Sequence, residues 1–99
     1  MIRDQIIEII RAHRADIDKF GVKRLALFGS IARGEDRPES DVDFLVEFED
    51  RGLKGFFNRH IGLLHLLEDL IGRKVDLVLA ESLRHEFKPY VEKDLIDVA

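Results

Sequence analysis

The sequence predicts a small α+β fold in which helices pack against a mixed β-sheet in α/β-like layers. Three short apolar runs have the length of strands, and three other segments repeat their apolar residues at helical spacing. The two kinds of segment alternate along the chain. Because two separate cores in 99 residues would each be marginally stable, we expect residues 1–99 to form a single domain.

The first two predicted elements are a helix and a strand. Apolar residues recur at helical spacing over residues 2–17, with charged residues mostly on the other side, which predicts one amphipathic helix ended by Gly21. The next run, residues 23–28 (KRLALF), is short and apolar and is followed at once by Gly29. These features favour a buried strand.

The middle of the chain predicts a loop and a second strand. Residues 29–40 are polar, with a single helical turn over residues 30–33, and we expect Ser40 to cap a turn through its hydroxyl. Val42–Phe48 (VDFLVEF) alternates as a strand does. One face of this strand carries Val42, Phe44 and Val46, and the other carries Asp41, Asp43, Leu45 and Glu47.

The second half repeats the alternation. After a loop over residues 50–55, Phe56–Ile71 predicts a helix whose apolar arc is wider than one sheet-facing stripe needs, which suggests a surface for a partner or for a second copy of the chain. Residues 74–79 (KVDLVL) predict a third strand with Asp76 on the face opposite its apolar residues. The apolar positions that predict a last helix are Phe87, Tyr90, Val91 and Leu95. We expect Tyr90, Phe56 and Phe57 to pack within the fold.

The composition excludes several classes of protein. The net charge of −4, from 16 basic and 20 acidic residues, argues against a broad basic surface, so we expect no stable binding of nucleic acid. The absence of cysteine excludes a disulfide framework, a zinc–thiolate site and a cysteine nucleophile. Charge interrupts every apolar run, and the first residues, MIRDQIIEII, lack the features of a secretory signal. We therefore expect a cytoplasmic protein that does not associate with membranes.

Three aspartates are the candidate chemical groups. Asp41 and Asp43 open one apolar strand on the same face, and Asp76 has the same disposition in another strand. Two carboxylates about 4 Å apart repel by roughly 4 kcal/mol at an effective dielectric constant near 20, and a divalent cation removes that cost. Oxygen ligands of this kind suit Mg²⁺. The alternative is that these acids are solvated or paired with nearby arginines, of which the candidates are Arg33, Arg37 and Arg73.

Gly29 and Ser30 form a second candidate feature. They follow a buried strand and open a turn, so backbone N–H groups and the Ser30 hydroxyl could donate hydrogen bonds to a phosphate. Glycine at the first position would permit close approach. The segment GSIARGE is neither a Walker A loop nor a dinucleotide fingerprint, and Gly-Ser after a strand is by itself more often only a turn.

The combination of these features is more specific than its parts. GSIARGEDRPESDVDFLV resembles the active-site signature of the DNA polymerase β-type nucleotidyltransferase superfamily, in particular its minimal nucleotidyltransferase family, and LIGRKVDLVLAESL resembles the strand with the third carboxylate. The resemblance implies the polymerase β-type core fold. It also implies that Asp41, Asp43 and Asp76 are catalytic residues that bind two Mg²⁺ ions, and that Gly29 and Ser30 hold the nucleotide triphosphate. Asp76 would help to activate the attacking hydroxyl.

Arg33 recurs in the Gly-Ser-x-x-Arg-Gly stretch of that family. The resemblance implies either that Arg33 contributes to nucleotide binding by reaching the triphosphate, or that it braces the loop by pairing with an acid. We favour bracing.

The resemblance further implies an activity and a partner. Minimal members of the family are similar to the antitoxins of HEPN-domain ribonuclease toxins, and they transfer AMP from ATP to a tyrosine of the toxin. We therefore expect a Mg²⁺- and ATP-dependent protein adenylyltransferase that acts on a HEPN toxin. Two alternatives stay open, namely an antitoxin that neutralises its toxin by binding alone and a stand-alone enzyme that modifies a small hydroxylated molecule.

Overall fold

Four strands form one mixed sheet in the order β3-β2-β1-β4 in the computed structural model, which describes residues 2–49, 55–83, 86 and 88–98. The strands are β1 (Val22–Phe28), β2 (Val42–Phe48), β3 (Val75–Leu79) and β4 (Ile96–Asp97). The helices are α1 (Ile2–Ala12), α2 (Arg14–Asp18), α3 (Gly29–Arg33), α4 (Phe56–Ile71) and α5 (Lys88–Asp94), with a short 3₁₀ turn at Ala80–Ser82. The predicted α+β class is therefore confirmed.

The strand directions follow from the connections between them. β1 pairs antiparallel with both β2 and β4, whereas β2 pairs parallel with β3. A parallel pair needs a crossover of a dozen or more residues, and the 16-residue helix α4 lies in that crossover. β2 and β3 therefore end at the same edge of the sheet.

The hydrophobic core lies on one face of the sheet. Ile6 and Ile10 of α1 and Leu63 and Leu67 of α4 are fully buried against Phe44. Because successive side chains of a strand point to opposite faces, the residues of β2 that flank Phe44 point away from this core. The sheet is thus covered by α1 and α4 on one face, whereas the other face carries Asp43 and Glu47 together with the buried side chain of Leu45.

One prediction about the elements was wrong, and one element was missed. The helix expected over residues 2–17 is broken at His13, whose backbone (φ −111°, ψ 21°) leaves the helical region and whose ring Nδ1 is 2.9 Å from the Ile9 carbonyl oxygen. The same carbonyl also accepts the backbone N–H of His13 at 3.2 Å, so the last turn of α1 is closed at this residue. The fourth strand, β4, was not predicted, because two residues are too few to show an alternating pattern.

The expected packing of aromatic residues was right in part. The Phe56 ring contacts Phe48 edge-on at 5.8 Å, but Phe57 is 75% exposed and Tyr90 is 74% exposed. Both exposed rings lie on helical faces turned from the core. The partner or homodimer surface expected on α4 stays a prediction.

Several local predictions concern turns and loops. The backbone N–H of Arg37 donates to Ser40 Oγ at 2.8 Å, which confirms the expected cap. The helical turn expected over residues 30–33 is confirmed as α3. Of the loop predicted over residues 50–55 only Gly55 is described, and Phe87 also lies outside the described residues. Among the helices in the described ranges, none is long and apolar enough to cross a membrane.

Candidate active site

Asp43 and Asp76 lie side by side on neighbouring strands. The parallel register of β2 and β3 pairs Asp43 with Asp76, so both side chains point to the face of the sheet opposite the core. Hydrogen bonds hold this end of the sheet in place, since Val42 N–H donates to the Lys74 carbonyl at 2.9 Å and Val75 N–H donates to Glu68 Oε2 at 3.1 Å. The sequence could place each aspartate on a face, and the register brings the two together.

Asp41 lies just before β2, where its side chain is exposed. Its charge still reaches Asp43. Burial first, and then the negative charges of Asp76 and Asp41, raise the pKa of Asp43 from its ordinary 3.8 to about 6. The charges of both neighbouring aspartates therefore act on the Asp43 carboxyl.

Gly29 packs directly against the Asp43 carboxylate. It follows Phe28, which is the cross-strand neighbour of Asp43, and it opens α3 with a φ of 79°. A Cβ atom at this position would overlap Asp43 Oδ2. Only glycine satisfies both the left-handed backbone and the close approach. The start of α3 therefore lies against the carboxylates, and the first N–H groups of a helix have no partner within it.

Arg33 is held by two carboxylates. Its Nε donates to Glu35 Oε2 at 3.0 Å, and its Nη1 donates to Asp94 Oδ2 at 2.8 Å. The Asp94 contact, followed by the Glu35 contact, raises the pKa of Arg33 above its usual value. This geometry is the bracing arrangement that the sequence favoured. A role in nucleotide binding stays a prediction.

Two of the three arginines that were candidates to neutralise the aspartates have other partners. Arg33 forms its ion pairs with Glu35 and Asp94, and Arg73 donates to the backbone carbonyls of Arg37 and Pro38 at 3.0 and 2.7 Å. Arg33 affects Asp43 only at a distance, where its charge lowers the pKa that burial and the neighbouring acids raise. Among the ion pairs of the described side chains, none joins Arg33, Arg37 or Arg73 to the three aspartates. Asp41 and Asp76 are exposed, which agrees with the other part of the alternative, that these acids are solvated.

The carboxylates fit a metal ion that is shared with a substrate. In the described part of the chain, no three acidic or histidine side chains are arranged to hold a metal ion by themselves. Mg²⁺ does not require such a cage, because it is usually bound by one or two carboxylates together with waters and substrate phosphates. Asp43 and Asp76 supply two such carboxylates, and Asp41, just before β2, adds a third acidic neighbour.

Two features of the site were not predicted. The first is the contact of Asp94 with Arg33, which are 61 residues apart, so no local sequence pattern predicts it. A cleft of about 330 Å³ also opens on the face that carries the aspartates, between the sheet and α5. Its walls include Leu45 and Glu47 of β2 and Lys88 and Glu92 of α5. The cleft lies on the same face as Asp43 but toward the far end of β2, and none of the three aspartates lines it.

Comparison with known families agrees with this geometry. The profile of the nucleotidyltransferase domain family matches residues 5–98. A candidate protein adenylyltransferase of Methanocaldococcus jannaschii, MJ1379, is 43% identical over 96 residues, which are 95% of each chain. The protein adenylyltransferase MntA of Thermococcus cleftensis is 38% identical over 96% of this chain and 94% of its own.

Solved structures share the fold. A candidate minimal nucleotidyltransferase, 35% identical, superimposes with a TM-score of 0.72 over 91% of this chain and 93% of its own. A complex of the tri-AMPylated HEPN toxin of Shewanella oneidensis with its MNT antitoxin gives a TM-score of 0.56 at 19% identity, over 99% of this chain and 69% of the matched chain. At that identity the likeness concerns the fold alone.

Proposed function

The chain belongs to the nucleotidyltransferase domain family, and from that premise we propose that it is a Mg²⁺-dependent protein adenylyltransferase and antitoxin. In this proposal it transfers AMP from ATP to a tyrosine hydroxyl of a partner HEPN ribonuclease toxin. The observation that carries the proposal is the pairing of Asp43 with Asp76, beside Asp41 and against Gly29. Repelling carboxylates next to a glycine that permits close approach suit a bound cation and a triphosphate.

Each residue has a role in the proposed reaction. The acceptor oxygen attacks the α-phosphorus of ATP, the bond from that phosphorus to the bridging oxygen breaks, and pyrophosphate leaves. Asp41, Asp43 and Asp76 would hold Mg²⁺, and Asp76 would help to take up the hydroxyl proton. When bound, Mg²⁺ lowers the pKa of the attacking hydroxyl and neutralises the triphosphate. Gly29 and Ser30 would donate to phosphate oxygens at the start of α3.

Similar proteins support the choice of partner. The relatives MntA and MJ1379 are named for protein adenylylation, and one complex of the same fold contains an AMPylated HEPN toxin. A protein acceptor also agrees with the exposure of Asp41 and Asp76, which a side chain of another molecule can approach from solvent. Consumption of ATP is consistent with action in the cytoplasm.

The test is transfer of label from α-labelled ATP to a co-expressed HEPN protein. We expect Asp43→Asn to lower the rate by at least about 100-fold, because the variant removes a metal-binding charge from the reacting centre. Asp69→Asn is the matched control, since Asp69 is an exposed carboxylate on α4, which covers the opposite face of the sheet. Transfer by Asp43→Asn at the wild-type rate would contradict the mechanism.

The same variant distinguishes an antitoxin that acts as an enzyme from one that neutralises its toxin only by stoichiometric binding. If Asp43→Asn loses transfer but still co-purifies with the toxin and still protects cells, neutralisation works by binding. If protection falls together with transfer, neutralisation depends on the reaction. Label that appears only on a small hydroxylated molecule, and never on the HEPN protein, would indicate a stand-alone enzyme.

A further inference from the structure

We propose that Asp94, together with Glu35, is a positioning residue that holds the Arg33 guanidinium for contact with the triphosphate of ATP. The inference deepens the proposed function and rests on it in one respect, that the site binds ATP. It assigns a role to Asp94 on α5, which lies outside the Gly-Ser and Asp-x-Asp segments.

The bonds of Arg33 leave one end of the guanidinium for a further ligand. Nε donates to Glu35 and Nη1 donates to Asp94, and Nη2 takes part in neither bond. The Arg33 side chain is 42% exposed, whereas that of Asp94 is 15% exposed. The arginine is therefore oriented from its protected side and still reaches solvent on the other. A planar guanidinium fixed in this way is pre-organised for the geometry of phosphate oxygens.

Arg33 also lies close to the aspartates. It ends α3, the single helical turn that begins at Gly29 beside Asp43. At a rise of about 1.5 Å per residue, Arg33 lies about 6 Å along the helix axis from Gly29. A triphosphate bound between the start of α3 and the aspartates would therefore lie within the field of Arg33.

The position of Asp94 is fixed by the segment that follows it, which pairs with β1. Two residues later β4 pairs with β1 through Ile96 and Leu27, and the N–H of buried Val98 donates to the Leu25 carbonyl at 2.9 Å. This pairing attaches the end of α5 to the strand that leads into α3. Asp94 thus joins the C-terminal segment to the nucleotide-binding turn, which explains why an acid so distant in sequence faces Arg33.

The test measures binding of nucleotide, so it needs no acceptor protein. Dissociation constants for ATP and for AMP, each with Mg²⁺, are measured by calorimetry for the wild type, Asp94→Asn, Arg33→Ala and the double variant. We expect Asp94→Asn to weaken ATP binding by about 5-fold to 20-fold, within the range of coupling between contacting residues, and to change AMP binding less than 2-fold. In the Arg33→Ala background the same substitution should have no further effect on ATP.

Asp97→Asn is the control for damage to the C-terminal segment. Asp97 forms the other ion pair of this segment, with Arg24 at 2.7 Å, away from Arg33. We expect this variant to bind ATP like the wild type, even if its melting temperature falls as much as that of Asp94→Asn. A purely structural role for Asp94 would instead weaken ATP and AMP alike, or affect both variants equally.

Several outcomes would overturn the proposal. Unchanged ATP binding by Asp94→Asn would show that Arg33 needs no positioning, and tighter binding would show that Asp94 competes with the triphosphate for Arg33. An equal loss in the Arg33→Ala background would show that Asp94 acts by another route. These results are independent of the proposed function, which fails instead if wild-type protein binds ATP but transfers no AMP to the HEPN partner.

Discussion

Replacement of Gly29 by alanine tests two requirements at this position, a left-handed backbone and close packing against Asp43. Its φ of 79° is left-handed, which costs a non-glycine residue about 1–2 kcal/mol. The new Cβ would also overlap the Asp43 carboxylate, which must then rotate or shift. Crowding of this kind adds about 1 kcal/mol, at the low end of overpacking costs because the side chain can move. We expect a total loss of about 2–3 kcal/mol in the free energy of unfolding.

Gly72→Ala is a matched control for the backbone cost. Gly72 ends α4 with a φ of 73°, and a Cβ there would meet nothing within 4 Å. Urea denaturation should therefore show a loss of only about 1–2 kcal/mol for Gly72→Ala. Calorimetry should show that Gly29→Ala loses binding of ATP with Mg²⁺, whereas Gly72→Ala keeps it. Equal stability and equal ATP affinity in the two variants would refute the close packing of Gly29 on a functional carboxylate.

Two further predictions concern the aspartates. In EDTA the folded protein should lose stability as the pH rises from about 4 to about 7, because the pKa of Asp43 is near 6 when folded and near 3.8 when unfolded, so the folded state holds its proton more tightly. With about 1.4 kcal/mol per pKa unit, reduced for solvent screening of a half-buried group, the loss is about 1–2 kcal/mol. Denaturation at several pH values measures it, and a variant Asp43→Asn with the same pH slope would contradict this assignment. ATP with Mg²⁺ at 100 times its dissociation constant should add about 2.7 kcal/mol, or roughly 10 °C or more in melting temperature. The shift should be small for Asp41→Asn, and an equal shift in both proteins would count against Asp41 as a ligand.

The sequence predicts well what depends on local spacing. Alternation along β2 fixes the face on which Asp43 lies, because side chains of a strand repeat with a period of two. The same reasoning gives the face of Asp76, and the glycine that follows β1 predicts the turn into α3. These features need only a few neighbouring residues, so no tertiary contact is required to infer them.

The remaining features depend on contacts between distant segments. The register that sets Asp43 opposite Asp76 joins segments more than 30 residues apart, and alternation alone permits a shift by two residues. The contact of Asp94 with Arg33 joins α5 to α3 and has no local pattern. β4 consists of two residues whose pairing with β1 only the folded sheet defines. The break at His13 lies in the backbone angles of one residue, which the spacing of apolar residues does not reveal.

Because β2 and β3 pair in parallel, the distance between Asp43 and Asp76, and with it ATP binding and catalysis, depends on how the two strands are aligned. A slip of two residues would keep every apolar side chain on its face, and circular dichroism would record almost the same secondary structure. It would nevertheless separate the Asp43 and Asp76 backbones by nearly 7 Å along the strands, given a rise of about 3.3 Å per residue. A preparation that looks folded by spectroscopy and yet binds no ATP would therefore point to misaligned strands before it pointed to a missing residue.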